Sequence, residues 1–448
     1  MRTRASLFFC VLIAIGCGDD DAPAESVQTV TPPAEPNVTP TPTPTPTPTV
    51  DPNAPVDPDD PLAGLDELDD DVEVAPVGAA VQPPAHGCAL YEAAPQRLWA
   101  TPGPTAVVSV GDDGFVFAGY ARRDDQEDLW VVAVRPMGLP RPLLREPLEV
   151  PARFDRKAPP GLGAFDSGHV GVAITDGAAN ARFASLPLGG ARSEWILLGT
   201  SADQRFAPAV GLRGGRHAVA WTEAEADQPM RVRYAAFDPT GRELARHDLT
   251  QAGMGACAPT FVDGDGPLVF LDPHAGTSAL LRANLAVDPP EVSVLRPVSH
   301  VYDPAKLAAA RLGARELVGY TAVGTAAATA VGLVWNEGDR QPPPDALVPS
   351  SGYGPLHVSV AQSTSRAVFA ADRPRARERD AAREVVVRLA WVEGETTRLG
   401  EPTVVHGPND GPASFGAIAR HDDGTYALAF VGEDGVYARF LRCDEGGG

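Results

Sequence analysis

The sequence predicts an all-β protein, a seven-bladed propeller of four-stranded blades, and three observations predict it. A tight turn between two apolar strands recurs seven times, at Asp112-Asp113-Gly114, Asp166-Ser167-Gly168, Arg213-Gly214-Gly215, Asp263-Gly264-Asp265-Gly266, Arg311-Leu312-Gly313, Thr364-Ser365 and Asp422-Asp423-Gly424. Between the last residues of successive turns the spacings are 54, 47, 51, 47, 52 and 59, the length of a four-stranded blade. A third strand rich in Val, Phe, Tyr and Trp follows each pair, at 129–134, 182–186, 231–237, 279–284, 330–335, 385–391 and 436–441. Tandem β-sandwich domains are the alternative architecture.

The first element is an export signal. Arg2 and Arg4 make a short basic start, residues 5–15 are apolar, and Gly16 precedes Cys17. Eleven apolar residues are too few to cross a bilayer. The stretch Ala14-Ile15-Gly16-Cys17 resembles the lipobox of bacterial lipoproteins, and the resemblance implies that Cys17 is diacylated and becomes the mature N-terminus. The abrupt change to Gly18-Asp19-Asp20-Asp21 fits an anchored, solvated tether better than an ordinary cleaved signal. The expected location is the cell envelope, at the outer membrane or cell surface rather than the inner membrane.

Residues 17–83 read as a disordered stalk. They hold almost no aromatic or periodic apolar pattern. Thr and Pro alternate over 39–49, which fixes an extended polyproline helix of about 34 Å at about 3.1 Å per residue. Asp66, Glu67 and Asp69-Asp70-Asp71 keep the chain from collapsing by self-repulsion.

The repeat domain is expected over 84–443, with 444–448 as a flexible tail. Fourth strands are weaker, for example at 194–198, 243–249 and 292–298, and the last repeat has none. The 96–101 segment ahead of the first repeat is expected to supply it and so close the ring. Cys88 lies just before that segment and Cys443 ends the last strand, so the two are expected to bridge in an oxidising compartment. Cys257 is left over, as a small buried hydrophobe.

Charge bounds the partners. The chain carries a net −22, and 18–83 hold fifteen acids with no Lys or Arg; setting these and Arg2 and Arg4 aside leaves −9 for 84–448. Lys157 and Lys306 are the sole lysines. Nucleic acid is therefore not an expected partner, because that affinity rests on cations neutralising phosphates. Nine scattered histidines form no ligand pair at helical spacing, and the sequence lacks a G-x-S-x-G elbow, a P-loop and a dinucleotide fingerprint. No catalytic residue, metal site or cofactor is assigned on these grounds. Asp263-Gly264-Asp265-Gly266 reads as a hairpin turn before a calcium loop, and Arg373 to Asp380 reads as an exposed loop.

The whole is similar to propeller lipoproteins of bacterial envelopes, without a WD dipeptide, a kelch Gly-Gly pattern or an Asp-box in any blade. The expected function is a non-catalytic binding or scaffolding module, held to the membrane by its lipid and meeting a protein or glycan partner. The alternative is an enzyme acting on polysaccharide or peptide at the propeller axis.

Overall fold

The computed structural model describes residues 81–111, 114–123, 126–136, 138–148, 158–164, 168–225, 227–238, 240–250, 254–262, 266–273, 278–298, 307–323, 329–335, 345–348, 357–375, 382–394, 396–405 and 411–446. The signal segment, Cys17 and the stalk lie outside them. Among the described residues all regular structure is β, in seven antiparallel sheets, here numbered I to VII in chain order. Five have four strands and two have five.

Sheet I shows the construction. Thr105–Ser109 pairs with Phe115–Arg123, which pairs with Gln126–Val134, which pairs with Arg141–Leu148. Sheets II to VI repeat this order over 161–199, 209–248, 257–298, 307–348 and 358–399, with Thr403–Val404 as an extra piece in VI. Each turn read from the sequence joins the first strand of a sheet to the second. In sheet III, Arg213 faces Arg216 across a two-residue turn, and Gly214 and Gly215 supply the positive φ of 54° and 73° that such a turn demands.

The middle strands are apolar on both faces because the sheets stack face to face. Phe115, Val116, Phe117 and Ala118 are all fully buried, so they read as a continuous run rather than an alternation. Seven apolar clusters fill the seams between successive sheets, and one of them joins VII to I through Trp99, Phe115, Trp130, Ala429 and Phe440. The first strand of each sheet touches the first strand of the next, and that of VII touches that of I. This is a propeller arrangement rather than a row of sandwich domains.

Sheet VII is assembled differently. Ser414–Arg420, Thr425–Val431 and Val436–Cys443 come from its own repeat. Two strands from ahead of sheet I, Cys88–Leu90 and Gln96–Trp99, both pair with Val436–Cys443. Cys88 therefore opens a strand of its own, where the sequence placed it just before one. It lies directly opposite Cys443, and the two form a disulfide. Cys257 takes no part in it and is buried beside Phe206, Val262 and Leu271.

Candidate binding site at the axis

The first strands of sheets I, IV, V, VI and VII wall a cavity of about 350 Å³. These strands have one paired edge each, so their other main-chain edge faces the axis. Alternation places small side chains such as Val107, Ala308, Ala309, Val360 and Ala361 along the wall. The polar groups among the lining residues are Ser109, Thr260, Ser359 and Gln362, and the one charged residue is Arg420. Two of them tie neighbouring sheets together: Ser359 Oγ accepts the Ile418 N–H at 3.1 Å, and Gln362 Oε1 accepts the Arg311 N–H at 2.7 Å.

Arg420 is the last residue of its strand, so its side chain stands where sheet VII turns away from the axis. Its Nε and a terminal nitrogen donate to the two carboxylate oxygens of Glu445, at 2.6 and 2.8 Å. Tyr426 donates its hydroxyl to the same carboxylate at 3.4 Å. Burial, then the nearby Glu445, push the Tyr426 phenol well above its ordinary value, so it remains a donor.

Residues 444–446, expected to belong to a flexible tail, are fastened. Asp444 N–H donates to Gly87 O at 2.9 Å, and the Asp444 carboxylate accepts the N–H groups of His86 and Gly446. These bonds hold the Asp444 carboxyl below its usual range. The Ser365 hydroxyl donates to Glu445 O at 2.8 Å.

Beside Arg420, His421 spans the seam from sheet VII to sheet I, its Nε2 lying 2.6 Å from Gly111 O and its Nδ1 3.1 Å from Asp423. Burial lowers its pKa, but the bond to Gly111 and the Asp423 carboxylate together raise it above the ordinary value.

The other sequence candidates are scattered. His217 is 1% exposed in the seam between sheets II and III, its ring edge-on to Phe183 at 4.9 Å. His86 stacks on Trp391 at 4.5 Å. Arg373 and Arg375, read as part of an exposed loop, are half-buried and bound: Arg373 pairs with Glu384 at 2.6 Å and Arg375 donates to Gly411 O. Residues 376–380 and Asp263 to Asp265 lie outside the described residues. Trp99, Trp130 and Trp221 are buried between sheets, as aromatic strand residues do, while Arg192 lies over the ring of Trp195. Among the described residues no three His, Cys, Asp or Glu side chains gather as metal ligands.

Sequence reasoning missed Arg420 and Glu445. Neither stands in a motif, and it is the pairing of the three strands 414–420, 425–431 and 436–443 that brings them together.

No family model matches the sequence, and no curated protein does. Solved structures do. A lectin from Burkholderia pseudomallei aligns with a TM-score of 0.51 at 16% identity, over 78% of this chain and 98% of that one. The likeness is one of fold. A thermostable family-43 glycoside hydrolase aligns at 0.37 and 14% identity, over 56% of this chain and 95% of that one. Puromycin hydrolase aligns at 0.41 and 20%, over 75% of this chain, which spans about half of the hydrolase.

Proposed function

We propose that this chain is a binding module of the bacterial cell envelope: a lipoprotein anchored through diacylated Cys17, with residues 17–83 as a stalk and 84–443 as a seven-bladed propeller. The seven sheets and their seams support the blade count. The pairing of Cys88–Leu90 and Gln96–Trp99 with the last strand supports closure of the ring by the chain ahead of sheet I. The stalk holds the domain clear of the outer membrane or cell surface, where the axial cavity and its rim meet a protein or glycan.

One observation carries the binding reading. The cavity wall is main chain, small apolar groups, four neutral polar side chains and an arginine whose charge Glu445 already meets. Hydrolysis by acid and base needs carboxylates or imidazoles within reach of a reacting bond. The cavity-lining residues include none, and the Glu445 carboxylate beside the cavity is held in an ion pair by Arg420.

In-cell crosslinking of the tagged protein, with Cys17→Ser as control, tests the module. Recovery of a stoichiometric envelope partner that the control loses supports it. Recovery of the chain alone, or hydrolysis of envelope polysaccharide or peptide by the purified protein, overturns it. Labelling with an alkyne palmitate tests the anchor: equal signal in wild type and Cys17→Ser would exclude it.

A further inference from the structure

We infer that Arg420 anchors a carboxylate-binding site at the end of the axial cavity, that its ligand is a small hydroxylated acid of the hexuronate kind, and that Glu445 is its built-in occupant. The inference deepens the binding-module reading and rests on it.

The Arg420–Glu445 pair has two parallel short hydrogen bonds, the geometry with which a guanidinium recognises a planar carboxylate. Arg420 is part of the cavity wall, and its side chain is 19% exposed against 36% for Glu445, so solvent reaches the acid more than the base. The Tyr426 hydroxyl adds a third donor to the same group. A carboxylate arriving from solvent would find the same donors.

The rest of the cavity selects what that carboxylate is attached to. Hydroxyls of Ser109, Thr260 and Ser359 and the amide N–H₂ of Gln362 offer neutral hydrogen bonds, and no second charge is supplied among the lining residues. A volume of about 350 Å³ is at the lower end of small-molecule pockets. A monosaccharide bearing one carboxylate matches this: one fork for the charge, neutral partners for the hydroxyls.

Glu445 is placed to leave. Cys443 is fixed by the disulfide and Asp444 by its bonds to His86 and Gly87, so a hinge lies between Asp444 and Glu445. Swinging Glu445 out breaks its own side-chain bonds to Arg420 and Tyr426, that of Ser365, and the Gly446 N–H bond to Asp444 that spans it. An internal competitor lowers the apparent affinity by the fraction of time it is absent.

The test is calorimetric titration of the purified full chain with sodium glucuronate, using glucose as the neutral probe. Glu445→Gln is expected to bind glucuronate about tenfold tighter than wild type, as removal of an occupant present about nine-tenths of the time requires. Adding Arg420→Gln should abolish that gain, and Arg420→Lys, which keeps the charge and loses the fork, should retain part of it with an unchanged melting temperature. Glucose should bind all forms alike. Equal glucuronate affinity in wild type and Glu445→Gln, or undiminished affinity in Arg420→Gln, overturns the inference. If the crosslinked envelope partner survives in Arg420→Gln while Glu445→Gln gains nothing, only the carboxylate site fails; if wild type captures no partner, the binding-module reading itself fails.

Discussion

His217 lies on the second strand of sheet III beneath Phe183, and Gly171 leaves room for it, since a Cβ there would come within 2.9 Å of His217 Nδ1. Burial, with His169 nearby, lowers its pKa to about 3. The unfolded chain takes up a proton near pH 6.5 that the folded chain refuses, so this histidine's share of stability is whole above pH 6.5 and is lost as pH falls towards 3. The slope is about 1.4 kcal/mol per unit in that window. His421 has the opposite sign: its raised pKa gives stability that is present below pH 6.5 and fades as pH rises past its folded value. Melting temperatures of wild type and His217→Gln at pH 7 and pH 5 check this, with the fall on acidification expected to be smaller in the variant. Neither histidine declared its role in the sequence. His217 sits in the strand that follows the Gly214-Gly215 turn, and what keeps it neutral is burial in the seam between sheets II and III, which the sequence does not show.

Among the strands, legibility followed burial. Second strands such as 169–175 and 425–431 are buried on both faces, so their apolar runs stood out, and the third strand 231–237 was read with the bounds it has in the structure. Fourth strands lie on the outer edge. Glu243–Asp248, for example, is exposed or half-buried throughout, so solvent admits polar residues and the pattern fades. Sheet VI holds the most buried charge among the described residues of its strands: Asp372, 1% exposed, accepts from Arg383 Nε at 2.8 Å and from the His357 N–H at 2.6 Å. Burial drives the Asp372 carboxyl upward, while Arg383 and the His357 N–H pull it back. Removing Arg383 leaves that carboxyl buried without its counter-charge. Arg383→Ala is expected to cost about 3 kcal/mol in urea denaturation, and Asp372→Asn with Arg383→Ala less than the single change.

For the molecule as a whole, the propeller arrangement was legible because the turn between two apolar strands recurs at nearly even spacing along the chain. The disulfide was legible because Cys88 stands ahead of the first repeat and Cys443 ends the last strand. The Arg420–Glu445 pair was not, since it forms only when the three strands of the last repeat pair and bring residues 25 apart together. Cys88 and Cys443 are 355 residues apart, and in the chain-entropy view a closed loop of that length contributes at most about 5 to 6 kcal/mol. Reduction, or Cys88→Ser with Cys443→Ser, should therefore lower the denaturation midpoint of the whole domain in one transition, measured by tryptophan fluorescence. Two separate transitions would show that the sheets do not unfold as a unit.

The same bridge decides how the protein takes mechanical load. A tether pulled from the residue 81 side meets Cys88 first, and Cys88 is covalently joined to Cys443. Tension between the two ends of the domain passes through the sulfur atoms and never enters the sheets between them. In a single-molecule pulling trace, the oxidised domain should add almost no length as force climbs. The reduced one should release roughly 1,200 Å, at about 3.4 Å per residue over the 355-residue separation. Oxidation would make this domain an inextensible link, so that tension applied at its two ends leaves the axial cavity in shape.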